Sequence, residues 1–359
     1  MSNNTMLAAG ADIKNRFLIA KGSVQYAGPA LGDLADTRYF IQYKKHITRL
    51  LKKISSKPRI IAHDMHPGYV SSQYMRTLHE TILPDAKLFP IQHHHAHIAS
   101  ILYENTITKP IIGVAFDGTG YGTDGALWGG EFLLVEGSTF TRLAHCQYHP
   151  MPGGDRVVFE PWRMVMGILG NLGYSVLDTV PETEKKLVQS MIDHRINTPV
   201  TSSAGRLFDA AAALLNLCRY AAYEAQGPID LEKRTDPAIT VSYPYHRAHT
   251  NGCSVIITKE IFLHMLRDIK HKKSQVHIAT AFHNTIAMII AQTVQQLSRS
   301  LKIRTVGLSG GVFLNKFLYN RVRQYCARSN ITIVTNTSTT NDLNIAQGQY
   351  YVSCNASKN

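Results

Sequence analysis

Residues 111–137 read IIGVAFDGTGYGTDGALWGGEFLLVEG. An unbroken apolar run, IIGVAF, stops at Asp117, yields to a glycine-rich turn over 117–125, and resumes as ALWGGEFLLVEG. The first run is short and bounded by turn residues, as a buried strand is, and the second continues it as a hairpin partner. Glycine lets backbone amides approach an anion closely and point at it, so the turn is a candidate phosphate nest. A plain hairpin turn with glycine at positive φ calls for the same residues.

A second strand-end glycine turn lies far downstream, in IRTVGLSGG at 303–311, followed by a helical stretch at 312–329 and the strand-like ITIVTN at 331–336. Here the turn precedes a helix, whose N-terminus also favours anions. Neither turn matches the P-loop or the GxGxxG fingerprint. Upstream, FLIAKGSVQYAGP at 17–29 reads as two short strands turning at Lys21-Gly22, residues 36–53 as helix, and IIAHD at 60–64 as a buried strand. SSQYMRTLHETI at 71–82 has helical period, and AKLFPI at 86–91 is strand-like. Strand pairs, a crossing helix and a further strand therefore occur twice, which predicts two α/β lobes with a cleft between them. The expected division is a first lobe over 1–110, completed by 335–359, and a second over 111–334. Residues 155–300 read as mostly helical and as an insertion in the second lobe, with periodic runs at 184–194, 206–222 and 276–299.

Four histidines crowd IQHHHAHIAS at 91–100. On a helix His93 and His97 share a face about one turn apart, which suits two ligands of one metal; a hydrogen-bonded core pair or a surface cluster has the same spacing. His94, Ile98 and Ile101 fall on a neighbouring face toward the core. A third ligand would come from an acid at a loop end, Asp117 or Asp342. Asp342 and Asn341 stand at a helix start, where capping is the competing role. In TSSAGRLFDAAAALLNL at 201–217, Asp209 could hydrogen-bond a ribose or base, or pair with Arg206 three positions before it.

With 359 residues, 44% of them hydrophobic, the chain is long enough to bury a core in each lobe. The formal charge of +13 invites an anionic partner. Its lysines and arginines are scattered, the densest cluster being HITRLLKKISSKPR at 46–59 on one side of a helix, which disfavours nucleic acid. Five cysteines form no CxxC pair, so a zinc finger or disulfide framework is not indicated and a reducing cytoplasm fits. No basic-then-apolar leader opens the chain and no uninterrupted apolar stretch is long enough to span a membrane.

In order, KNRF, HDMHPGY, QHHHAHIAS, FDGTGYGTDGALWGGEF, PGGDRVVFEPWRM, SSAGRLFDAAAALL, LSGGVFLN and NDLNIAQGQ resemble the C-terminal transferase domain of HypF, the carbamoyltransferase of [NiFe]-hydrogenase maturation. The similarity runs from about residue 7 to 352. It implies the two-lobed actin-like fold of the tRNA threonylcarbamoyl transferase relatives. It also implies transfer of a carbamoyl group from carbamoyl-adenylate to the cysteine thiol of a HypE-type acceptor protein. By the same resemblance His93, His97 and Asp342 match ligands of a divalent metal, iron or zinc. Asp117, Gly118, Thr119, Gly120, Tyr121 and Gly122 match a phosphate-facing loop, and Asp209, Gly310, Gly311 and Asn315 match positions around the adenosine of ATP or carbamoyl-adenylate. The acylphosphatase-like, zinc-finger and YrdC-like parts of the full-length family have no counterpart here, so a separate YrdC-like partner is expected to make the adenylate.

Four departures bear on that expectation. NDLN stands where the family has NDGG, so Leu343 and Asn344 are expected to narrow the site beside Asp342. YEAQGP puts Ala225 at a glycine position near the nucleotide. FEPWRM puts Phe159 at an arginine position, an expected loss for phosphate binding, and DMHPGYVSSQ lacks an acid and an arginine of the family's DLHPDYLSTR. O-carbamoylation of a small metabolite, threonylcarbamoyl transfer to tRNA, and nucleotide binding without turnover are the alternative functions. Against the tRNA reading, His95-Ala96 replace the Glu-Gly of its HxEGH pattern.

Overall fold

A computed structural model describes residues 5–22, 24–54, 56–250, 252–327, 329–337 and 341–356. The first sheet comprises β1 (Thr5–Ala8), β2 (Leu18–Lys21), β3 (Val24–Ala27), β4 (Ile60–Asp64) and β5 (Lys87–Ile91), in the order β3-β2-β1-β4-β5. Strands β1 to β3 form an antiparallel meander, and β4 and β5 extend it in parallel. Its helices are α1 (Thr37–Ile54), α2 (Val70–Thr81) and α3 (His93–Glu104). Side-chain alternation along the strands sorts the two faces. Leu7, Ile19 and Ile61 pack with Tyr43, Ile47 and Met75 of α1 and α2. Ala8, Leu18 and Ala62 face the other way, toward a helix from the far end of the chain.

The second sheet repeats the plan. Strands β6 (Ile111–Tyr121), β7 (Leu127–Glu136) and β8 (Thr139–Cys146) form an antiparallel meander, joined in parallel by β13 (Thr305–Ser309) and β14 (Thr332–Val334). The repetition bears out the expected two-lobed α/β architecture. Between the halves of this sheet run the two-residue β9 (His149–Pro150) and β10 (Val200–Thr201), with helices α4 (Trp162–Leu169), α5 (Glu182–His194), α6 (Ala204–Leu214) and α7 (Gln226–Glu232). A strand pair, β11 (His246–Thr250) and β12 (Cys253–Ile257), precedes α8 (Lys259–Lys270), α9 (Gln275–Leu301) and α10 (Lys316–Cys326).

The stretch at 155–300 is thus not wholly helical. β12 adds to the sheet in parallel beside β8, and β11 closes that edge. Only Ile256 of the pair is buried, so the alternation that marks a strand is nearly absent there. The periodic run at 206–222 also ends early, at Leu214, because Asn216 takes a left-handed conformation with φ 56° that asparagine tolerates and a continuing helix cannot.

Helix α11 (Ile345–Ala356) returns to the first sheet, where Ile345, Ala346 and Val352 cover Ala8, Leu18 and Ala62. Gln349 ties it to the turn after β1, accepting from the Gly10 amide at 2.8 Å and donating to the Gly10 carbonyl at 3.3 Å. The same helix crosses α3 at Gly348, where an added Cβ would lie 1.9 Å from the Ala96 carbonyl oxygen. Other residues of α3, Ile98, Ile101 and Leu102, pack on Ile111, Ala115 and Leu133 of the second sheet. Helix α3 is therefore the joint between the lobes, and it meets α11 backbone to backbone. A valine at Gly348 has no room against main-chain atoms, and we expect Gly348→Val to lower the unfolding free energy by about 1–3 kcal/mol. Urea unfolding measures this, and an unchanged midpoint would show that the crossing is looser than described.

Candidate active site

The strand registers deliver the site. Asp64 ends β4 opposite Ile91 of β5, so its carboxylate stands beside the start of α3. Gln92 caps that helix, its side-chain oxygen accepting from the His95 amide at 2.8 Å while its Nε2 donates to the Tyr121 carbonyl at 3.0 Å. The cap thereby fastens α3 to β6, which brings Asp117 over the histidines. Ser309, the end of β13 opposite Ala115 of β6, reaches the same point from the second glycine turn.

His93 and His97 are fully buried. The Nδ1–H of His93 donates to Asp64 Oδ2 at 2.7 Å. That of His97 lies 3.1 Å from Ser309 Oγ, which in turn donates to Asn336 Oδ1. Both rings are so held in the tautomer that turns the Nε2 lone pair inward, the usual support for a metal-binding imidazole. His93 Nε2 lies 3.5 Å from Asp117 Oδ2 and 3.9 Å from Asp342 Oδ1; His97 Nε2 lies 3.6 and 3.4 Å from the same two atoms. Neither Nε2 has a hydrogen-bond partner. One ligand atom from each of these four residues lies within 4.8 Å of the others.

Two buried lone pairs facing two carboxylates repel unless a cation lies between them. Burial disfavours charge on both rings, yet the Asp64 and Asp117 carboxylates hold the His93 imidazole well above its ordinary value. Asp117 and Asp342 likewise raise His97 against its burial. Burial would push Asp117 up, but the two histidines hold it well below the carboxylate range. The cluster therefore takes up protons when it holds no ion, and its donors, two imidazoles and two carboxylates, fit a divalent metal. His94, buried beside His93, is instead driven well below its ordinary value, first by burial and then by that neighbour's charge. It stays neutral and stacks near Trp128.

Beside the cluster opens a cavity of about 240 Å³. The first lobe contributes Ile13, Lys14 and Tyr69, and the C-terminal segment contributes Asn341 and Asp342. Asp117, Gly118 and Thr119 of β6, Gly205, Arg206 and Phe208 of α6, Val158, residues around α7, and Gly311, Val312, Leu314 and Asn315 at the second glycine turn complete it. Two members of the cluster, Asp117 and Asp342, thus belong to the cavity as well. Asp117 Oδ1 accepts from the Gly311 amide at 2.8 Å, which locks the two glycine turns together and leaves Oδ2 to the histidines. Asn315 lines the cavity with its side chain already engaged, the oxygen capping α10 at Leu318 and the amide donating to buried His283.

Several expected residues lie elsewhere. Gly120 and Gly122 do not line the cavity; a side chain on Gly120 would strike His94 and His93, and one on Gly122 would strike Trp128. Gly120 lets the hairpin lie against α3, and Gly122 leaves room for the Trp128 ring within the hairpin. Tyr121 serves the α3 cap through its carbonyl. Gly310, at φ +102°, brings the turn onto the Phe116 carbonyl, and its neighbour Gly311 faces the cavity. Asp209 is buried behind Arg206 at 2.9 Å, the helix ion pair rather than a ribose contact.

The departures resolve similarly. Leu343 and Asn344 follow Asp342 in a 3₁₀ turn at negative φ and do not line the cavity, so they neither strain nor narrow it. Phe159 is 53% exposed and outside the lining, which Val158 joins instead. Ala225 does line it, in a left-handed conformation with φ 64° that costs about 1–2 kcal/mol for a residue with a Cβ. Asp64, Ser309 and Tyr69 join the site without a local sequence pattern that marks their roles. A carboxylate ending the buried strand IIAHD was the one available signal.

Because Asp64 fixes the His93 tautomer, we expect Asp64→Asn to weaken zinc binding by about 10–100-fold, and His97→Ala by more. Calorimetric titration measures this, and undiminished affinity in both variants would sink the metal site. Protons compete for the same Nε2 atoms, so affinity rises with pH until the raised imidazoles are deprotonated and falls below that point.

The HypF Kae1-like domain family matches residues 1–104, and the second subdomain of the Kae1-like carbamoyltransferase domain matches residues 113–349. A carbamoyltransferase HypF homolog of Cupriavidus necator is 32% identical over 359 residues, covering 97% of this chain and 91% of that one. Carbamoyltransferase HypF2 of the same organism is 31% identical, covering 100% of this chain and 47% of that one. The crystal structure of full-length HypF in its phosphate- and nucleotide-bound form superposes with a TM-score of 0.92 at 32% identity, over 98% of this chain and 46% of that one. The chain spans nearly the whole of the first relative and about half of the other two. With two family domains in tandem and a relative aligned almost end to end, this chain belongs to the HypF carbamoyltransferase family and corresponds to its Kae1-like domain.

Proposed function

We propose that this chain transfers a carbamoyl group from carbamoyl-adenylate to a cysteine thiol of a HypE-type acceptor protein during [NiFe]-hydrogenase maturation. Its two lobes would be residues 1–110 with 335–359, and residues 111–334. The observation that carries the reading is the sharing of Asp117 and Asp342 between the four-residue cluster and the cavity, which puts a cation site at the edge of a nucleotide-sized space.

The cavity's apolar members, among them Phe208, Pro228, Ile229 and Val312, suit an adenosine. Gly118 and Gly311 let main chain approach a phosphate on either side of Asp117. His93, His97, Asp117 and Asp342 would hold a divalent ion, iron or zinc. Bound there, it supplies Lewis acidity to the carbonyl of the mixed anhydride and to the departing phosphate. The acceptor thiolate attacks the carbamoyl carbon, the carbon–oxygen bond to phosphate breaks, and AMP leaves with the electron pair.

The nucleophile comes from the partner. Among the described residues no cysteine lines the cavity. Burial raises the thiols of Cys218 and Cys326 to about 11, and that of Cys146 higher still. A separate YrdC-like protein would supply the adenylate. All five cysteines are free, which supports a cytoplasmic setting, and no helix among the described residues is long and apolar enough to cross a membrane.

The test supplies carbamoyl-adenylate from a YrdC-like enzyme and follows a HypE-type acceptor by intact mass spectrometry. We expect one carbamoyl group on the acceptor's C-terminal cysteine, at a rate about a hundredfold lower or worse for His97→Ala. An acceptor left unmodified by wild-type protein that binds the adenylate would favour nucleotide binding without turnover.

A further inference from the structure

Among the described residues two cations line the cavity, Lys14 and Arg206. Lys14 is committed at the rim, where it meets both oxygens of Glu224 at 3.3 Å with both side chains nearly half exposed. Arg206 differs in every respect. It is 5% exposed, and its Nε makes no hydrogen bond. Asp209 Oδ2 sits 2.9 Å from that nitrogen, yet this oxygen too is without a hydrogen bond, so the pair is close but misaligned. Burial pushes the Asp209 carboxyl up to about 6 against the pull of Arg206, which makes it an incomplete counter-charge. A buried guanidinium with such a partner is a poor structural element and a good anion receptor.

The chain also goes to some length to place it. Ser203 Oγ accepts from the Arg206 amide at 3.1 Å, capping α6, and donates to the Asp117 and Gly118 carbonyls at 2.8 and 2.5 Å. The start of α6 is thereby seated on the first glycine turn. Gly205 makes that approach possible, since a Cβ there would lie 2.9 Å from Gly118 Cα. One residue on, Arg206 Nη2 lies 3.8 Å from the point a Gly118 side chain would occupy. The guanidinium and the α6 N-terminus therefore face the same space beside Gly118.

We infer that Arg206 is the phosphate-binding cation of this cavity, recognising the monophosphate of a 5′-nucleotide or nucleotide mixed anhydride while Asp209 steadies its stem. This rests on the nucleotide reading of the cavity. Asp117 and Asp342 bring negative charge to one side of that space, so a phosphate there needs a fixed positive charge on the other. Arg206 supplies it from α6.

Calorimetric titration of the purified chain with AMP and with adenosine separates the phosphate from the nucleoside. Wild type is expected to bind AMP roughly tenfold or more tightly than adenosine. Arg206→Gln should erase most of that preference while adenosine affinity stays within about twofold, which also reports an intact cavity. A preference that persists in Arg206→Gln overturns the assignment and leaves the nucleotide reading standing. Wild-type protein that binds neither ligand overturns the nucleotide reading and the assignment with it. Should the glutamine variant not fold, Arg206→Lys decides. Lysine keeps the charge without the planar fork, so a preference reduced severalfold at unchanged adenosine affinity upholds the assignment, and an undiminished one overturns it.

Discussion

Helices α3 and α11 touch through main-chain atoms at Ala96 and Gly348, and much of the molecule depends on that contact. The N-terminal turns of α3 carry His93 and His97, while Asp342 stands just before α11. Small residues on both helices, Ala96, Ala99, Ala346 and Gly348, bring the axes close enough for imidazole and carboxylate to meet. The same α3 carries Ile98, Ile101 and Leu102 into the second sheet. One buried helix thus fixes the distance between the lobes and the width of the cleft.

The chemistry of the cluster follows from charge and tautomer. Asp64 and Ser309 occupy the outer nitrogens of the two imidazoles, so the inner nitrogens turn toward Asp117 and Asp342 as acceptors. Four acceptors converging in a buried space are stable only around positive charge, protonic or metallic. Asp117 is bound on its other side by the Gly311 amide, which couples the cluster to the glycine turns that flank the cavity. Arg206 sets a positive charge on the opposite side of Gly118. A phosphoanhydride has both the negative charge and the polar carbonyl that such an arrangement matches.

Much of the fold was legible because buried strands and amphipathic helices leave strong periodic marks. IIAHD and LSGG end where the structure ends their strands, and the histidine stretch is the helix its spacing implied, but β6 runs past IIGVAF to Tyr121, because Gly120 and Tyr121 still pair with Trp128 and Leu127 beyond an irregularity in register. The edge pair β11–β12 left no clear mark because Ile256 is its one buried residue, so the alternation a strand shows is nearly absent. Within the site, His93, His97, Asp117 and Asp342 are brought together, while Gly120 and Gly122 prove to be packing glycines. Composition cannot separate a glycine that cradles an anion from one that admits a neighbouring ring. The roles of Asp64 and Arg206 arise from contacts between distant segments, and no local pattern encodes those.

Anomalous diffraction from crystals of the purified protein, recorded across the iron and zinc absorption edges, would show whether His93, His97, Asp117 and Asp342 hold a metal ion. One strong peak is expected at about 2.0–2.2 Å from the Nε2 atoms of His93 and His97, with carboxylate oxygens of Asp117 and Asp342 completing the ligand set. Crystals of metal-replete protein with no peak between those four side chains, or with the ion bound elsewhere, would contradict that expectation.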